Sequence, residues 1–137
     1  MSRQETESLV RRFIDTFNAG DHDTMAACLT DDIAHDLNRD GREIGAEKLR
    51  WRLGMAARHF DATIADVAIM TDEGGVRAAA EFTLRGTYRA TAEGLPAAEG
   101  QRFSLPAGLF LEVDDGRISR LTACYNRDAL IGQLAGR

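Results

Sequence analysis

Three histidines, two cysteines, two tyrosines and 22 carboxylates are the side chains from which this 137-residue chain could build chemistry. His35 stands out because Ile33-Ala34-His35-Asp36-Leu37-Asn38 alternates apolar and polar residues around it. An imidazole exchanges protons near neutrality, and a dry setting lowers its pKa toward the neutral base. Strand alternation would put Ile33, His35 and Leu37 on one face and Asp36 with Asn38 on the other. His35 is therefore the leading acid–base candidate, with a core histidine bonded to backbone as the equal rival. Asp36 is a candidate catalytic partner, against the plainer reading of an ion-paired strand carboxylate. Asn38 could bind a ligand or simply cap a turn. Tyr125 offers a phenol to a ligand oxygen; its neighbour Asn126 could do the same or cap the last helix.

Other chemistries find little support. His22, His35 and His59 fall in three different segments with no HxH or HxxxH spacing, so no metal site is expected. No phosphate-cradling glycine loop, nucleophile elbow or dinucleotide fingerprint occurs, and no cofactor is expected. Cys28 and Cys124 lack a CxxC spacing and read as two small apolar residues rather than a disulfide.

Composition narrows the class. The chain is 44% hydrophobic and 28% charged with a net charge of −5, the mix of an ordinary globular protein. Arg11-Arg12 is the longest basic run, which argues against nucleic acid as partner. No apolar stretch reaches the roughly 18 residues of a membrane span, and the polar N-terminus lacks a signal peptide's apolar core. One cytoplasmic domain over residues 1–137 is expected.

The elements that must position His35 are legible as patterns. Leu9, Val10, Phe13, Ile14 and Phe17 form one helical stripe, opened by a Ser2/Glu5 capping box and stopped at Gly20. A short helix capped at Asp21 or Asp23 follows, then a strand over 33–38 and a turn at Arg39-Asp40-Gly41-Arg42. A third helix spans about 45–58, with Trp51 off its main stripe. After residue 60 the chain reads as strands. Val76, Ala78, Ala80, Phe82, Leu84, Gly86 and Tyr88 make a dry face against a wet one of Arg77, Ala79, Glu81, Thr83, Arg85, Thr87 and Arg89. Residues 91–101 are a polar connection. Phe103, Leu105, Ala107, Leu109, Leu111 and Val113 then face inward, and Asp114-Asp115-Gly116 turns into a last strand and a short helix. Helices first and hairpins afterwards predict an α+β fold: a curved antiparallel sheet with helices packed on its concave face, enclosing a pocket.

Several segments resemble the nuclear transport factor 2-like cone: Asn18-Ala19-Gly20-Asp21, Thr30-Asp31-Asp32 and Asp115-Gly116-Arg117-Ile118. His35-Asp36-Leu37-Asn38, Gly94-Leu95-Pro96, Leu105-Pro106-Ala107-Gly108 and Tyr125-Asn126 are similar to its ketosteroid isomerase-related branch, near the SnoaL-like polyketide cyclases. That resemblance implies a homodimer with a small-molecule pocket. It also implies that the isomerases' tyrosine, base and oxyanion aspartate fall on Phe13, Leu37 and Leu109, none of which can run that mechanism. The expectation is isomerase- or cyclase-like acid–base chemistry on a small apolar molecule through His35, Tyr125 and Asp36. Phe13, Phe17, Leu37, Asn38, Trp51, Phe82, Leu109 and Asn126 would contact the ligand. The alternative is a non-catalytic binding module.

Overall fold

The computed structural model describes residues 1–37 and 41–136. Helices α1 (Arg3–Ala19) and α2 (His22–Ala26) lead into strands β1 (Leu29–Leu37) and β2 (Gly41–Ile44), then helix α3 (Ala46–His59). Strands β3 (Phe60–Thr71), β4 (Arg77–Tyr88), β5 (Arg102–Asp114) and β6 (Arg117–Tyr125) follow, and α4 (Arg127–Leu134) closes the order. No described helix is long and apolar enough to cross a membrane.

Local chemistry fixes the ends of these elements. Ser2 Oγ accepts from the Glu5 amide and the Glu5 carboxylate accepts from the Ser2 amide, both at 3.1 Å, which completes the capping box of α1. Gly20 ends α1 at φ 70°, a left-handed conformation that costs a glycine nothing. The Asp21 carboxylate then accepts from the Thr24 amide and caps α2. Asp115 and Gly116, at φ 49° and 81°, form the two-residue turn whose twist suits the β5–β6 hairpin.

The six strands form one sheet in the order β2-β1-β6-β5-β4-β3. Its sense corrects the antiparallel expectation: β1 runs parallel to β6, so the sheet is mixed. Side-chain alternation is the same in both senses, so the pattern could not reveal which strand lies beside β1 or how it runs. Of the expected turn at 39–42, Arg39 and Asp40 lie outside the described residues, and Gly41 and Arg42 instead begin β2. Four residues are too few to show a period. Val76, expected on the dry face, precedes β4 and is 53% exposed.

Alternation elsewhere translates directly into burial. Phe103, Leu105, Leu109, Leu111 and Val113 are buried on one face of β5, with Ala107 half-buried among them. Val10, Phe13 and Ile14 of α1 pack over this inner face with Met25, Leu49, Ile64, Phe82 and Ile118. Each such side chain contributes roughly 1.5–3 kcal/mol by leaving water. A second cluster of Tyr88, Phe103, Leu105, Leu130 and Leu134 lies under α4 and the 91–101 connection. The Tyr88 hydroxyl anchors that connection, donating to the Pro96 carbonyl at 2.7 Å and accepting from the Ala92 amide at 2.8 Å.

Candidate functional site

His35 lies near the β2 edge of the inner face. Its register partners are Glu43 on β2 and Leu121 on β6, and Leu121 belongs to the buried core. Ile33, two residues earlier, is fully buried, so the alternation that predicted a shared inner face operates here. The ring is half-buried, and its Nδ1 is shielded from solvent with no hydrogen-bond partner. Burial pushes the imidazole below its ordinary pKa, and the Arg52 guanidinium adds to that shift; Glu43 and Asp36 oppose it. Burial and Arg52 both favour the neutral form of the His35 ring.

Asp36 points to the other face. Its carboxylate accepts from Arg42 Nε at 2.6 Å and Nη2 at 3.2 Å, and from Thr122 Oγ1 at 3.2 Å. The hydrogen bond from Arg42 is the main reason its carboxyl lies below the usual carboxylate range. Arg120 stands 3.9 Å away. The plain reading of Asp36 as an ion-paired strand carboxylate describes this arrangement. Asp36 makes no hydrogen bond to the His35 ring.

Glu43 and Arg52 were absent from the sequence-derived set. Arg52 on α3 grips the Glu43 carboxylate with two parallel bonds, Nε to Oε1 at 2.5 Å and Nη2 to Oε2 at 2.9 Å. This bidentate grip holds the Glu43 carboxyl below its ordinary range. The usable signal was the cross-strand neighbour of His35, visible only once β2 is known to exist.

The remaining candidates divide by location. Phe13, Phe82 and Leu109 are buried at 3%, 7% and 5% exposure in the core, with Phe17 packed against them. Leu37 is half-buried at the end of β1, and Asn38 lies outside the described residues. Trp51 is 65% exposed on α3, apart from that cluster. Asn126 caps α4, accepting from the Ala129 amide at 3.0 Å. Tyr125 ends β6 opposite Ala107 and is 42% exposed. Four residues separate it from Leu121, the partner of His35, so the two candidate polar groups stand roughly 13 Å apart along the strand direction. They cannot flank one reacting bond; they could contact two parts of an extended molecule. Among the described residues no group of three or more His, Cys, Asp and Glu side chains could hold a metal ion.

Comparison with known proteins agrees with this architecture. Residues 10–121 match the SnoaL-like domain. A candidate polyketide cyclase from Xanthomonas campestris pv. campestris is 39% identical, with a TM-score of 0.95 over 98% of this chain and 99% of that one. A second candidate polyketide cyclase, from Silicibacter sp. TM1040, is 40% identical, with a TM-score of 0.91 over 97% of each chain. A ketosteroid isomerase-like structure from Kribbella flavida, at 24% identity and a TM-score of 0.68 over 90% of this chain and 78% of that one, shares the fold. No protein with a curated description matches. The chain has the nuclear transport factor 2-like fold and belongs to the SnoaL-like family.

Proposed function

We propose that this SnoaL-like protein is an acid–base catalyst of isomerase or cyclase type, acting without a cofactor on a small, largely apolar molecule. The observation that carries the reading is the shielded, unpartnered Nδ1 of His35 on the inner face. Leaving a buried polar atom unsatisfied costs about 1–3 kcal/mol, and such atoms in native folds call for an explanation, a catalytic role among them. Once a substrate displaces the side chains that cover Nδ1, a neutral imidazole there can take a proton from a carbon beside a substrate carbonyl and return it at another position. Tyr125 would orient a distant oxygen of an extended substrate. The description of the 39–40% identical relatives as candidate polyketide cyclases supports the cyclase side of this reading.

A second reading, a binding module without chemistry, draws on a different observation. Phe13, Leu37 and Leu109 occupy the positions where the resemblance to the isomerases implies their reactive groups, and two of them are core residues. Native mass spectrometry of the purified protein would identify a carried molecule. Turnover of that molecule should fall roughly 100-fold or more in His35→Gln. Equal rates overturn the catalytic reading; binding without turnover by either protein establishes the second.

The partner we propose is a second copy, docked on the outer face of the sheet. Arg77, Glu81 and Arg85 on the wet face of β4 by themselves point to a hydrated surface. Its neighbours change the picture, because Met70, Ala79 and Phe110 lie in one row across three strands, with Met70 51% and Phe110 50% exposed. Beside them runs an alternating ladder of ion pairs, Arg42, Asp36, Arg120, Glu112 and Arg77. Its three guanidiniums and two carboxylates cancel to within one positive charge, which suits burial against an identical surface better than attraction to a charged partner.

A further inference from the structure

We propose that Glu43 and Arg52 are a positioning pair for His35, in which Arg52 holds the neighbouring Glu43 carboxylate so that it does not draw a proton onto the imidazole. The inference rests on the acid–base reading above and extends it to two residues that make no direct contact with substrate in that reading. Its first support is register: Glu43 is the residue directly opposite His35 on β2, on the side of the sheet that α3 covers. Its second is geometry, since the planar fork of Arg52 binds both Glu43 oxygens at 2.5 and 2.9 Å.

A lone carboxylate beside an imidazole would draw a proton onto the ring and turn the base into an imidazolium. A carboxylate held by a guanidinium does so far less, because the cation offsets its field and occupies its lone pairs. Of the other surroundings of His35, Asp36 adds a smaller pull toward protonation than Glu43 does. Leu121 on β6 is apolar and buried. Asp36 on β1 faces outward and is engaged with Arg42, Arg120 and Thr122. On α3, Lys48 reinforces Arg52 in its effect on Glu43. The two members of the pair act on His35 in opposite directions, Arg52 against protonation and Glu43 in favour of it. Loss of a buttress that merely held the strands together would expose the ring and move its midpoint upward in either variant.

Opposite signs give the test. In the full-length protein, the His35 ring resonances are assigned by their loss in His35→Gln, and their NMR titration is followed in wild type, Arg52→Gln and Glu43→Gln. Arg52→Gln leaves Glu43 unneutralised and should raise the His35 midpoint by about half a pH unit or more. Glu43→Gln removes the carboxylate that favours the charged ring and should lower it. Arg52→Lys keeps the charge without the fork and should fall between wild type and Arg52→Gln. Amide spectra of each variant establish that the fold is kept. Midpoints that stay put, or that move in the same direction in both glutamine variants, overturn the proposal. The readout needs no substrate, so the pairing can fail while His35 remains the base. Conversely, unchanged turnover in His35→Gln would remove the base and leave the titration result standing.

Discussion

Gly86 sits near the C-terminal end of β4 between Ala62 on β3 and Phe103 on β5, and replacing it with alanine should be among the costliest single-atom additions in the molecule. An added Cβ would lie 2.1 Å from the Asp61 carbonyl oxygen, 2.8 Å from Ala62 Cα and 2.9 Å from Asp61 C. All three atoms are backbone, so no rotamer change relieves the clash. Bringing the oxygen contact to an ordinary separation needs a movement of more than 1 Å, taken up by parting β3 from β4. Overpacking of this kind costs roughly 1–3 kcal/mol, and two weakened ladder bonds add about 1 kcal/mol each. The stack of Phe60 on Tyr88, with ring centroids 5.1 Å apart, bridges the same two strands and would loosen with them. A loss of about 3 kcal/mol is expected for Gly86→Ala, or roughly 10–15 °C in melting temperature for a chain of this size. Urea and thermal denaturation measure it. Gly132→Ala is the internal control: it adds the same methyl inside α4, where nothing lies within 4 Å. That change should stabilise by up to about 1 kcal/mol through helix propensity. A Gly86→Ala protein within about 0.5 kcal/mol of wild type would refute the steric reasoning.

Acidification should destabilise the fold in two stages. His35 is depressed in the folded state, so below about pH 6.5 the unfolded chain binds more protons and stability falls with pH through its folded value. The stabilisation from Asp36, depressed by Arg42, persists to lower pH and is lost only as the pH falls through its folded value. Urea midpoints measured from pH 7 down to 5 should therefore decline, and His35→Gln should flatten that decline; the same slope in both proteins would contradict the assignment. Thr6→Val removes the hydroxyl that donates to the Gly75 carbonyl at 2.5 Å in a fully buried setting, and should cost about 1–3 kcal/mol by denaturation. Phe110→Glu places a charge in the centre of the proposed dimer face and should shift gel filtration from dimer to monomer; a wild-type protein that elutes as a monomer rules that face out.

Local chemistry was legible wherever its cause lay within a few residues. The Ser2/Glu5 box, the Gly20 stop, the Asp21 cap and the Asp115-Gly116 turn each depend on atoms close in sequence, and the period-two burial of β5 needs only one dry side. The inner-face placement of Ile33 and His35 followed from the same rule. Strand neighbours were a different matter, because hydrogen bonding between strands leaves no trace in the period of either one. The parallel pairing of β1 with β6, the brief β2 and hence the Glu43–Arg52 pair beside His35 exist only after the chain has closed on itself. Trp51 shows the limit from the other side, since an aromatic type suggests contact but only packing decides whether the ring is covered. The sequence alone determined which residue types could face inward and which one could serve as a base. Tertiary structure decided what stands next to that base, because proximity between distant segments is set by the packing of the whole sheet.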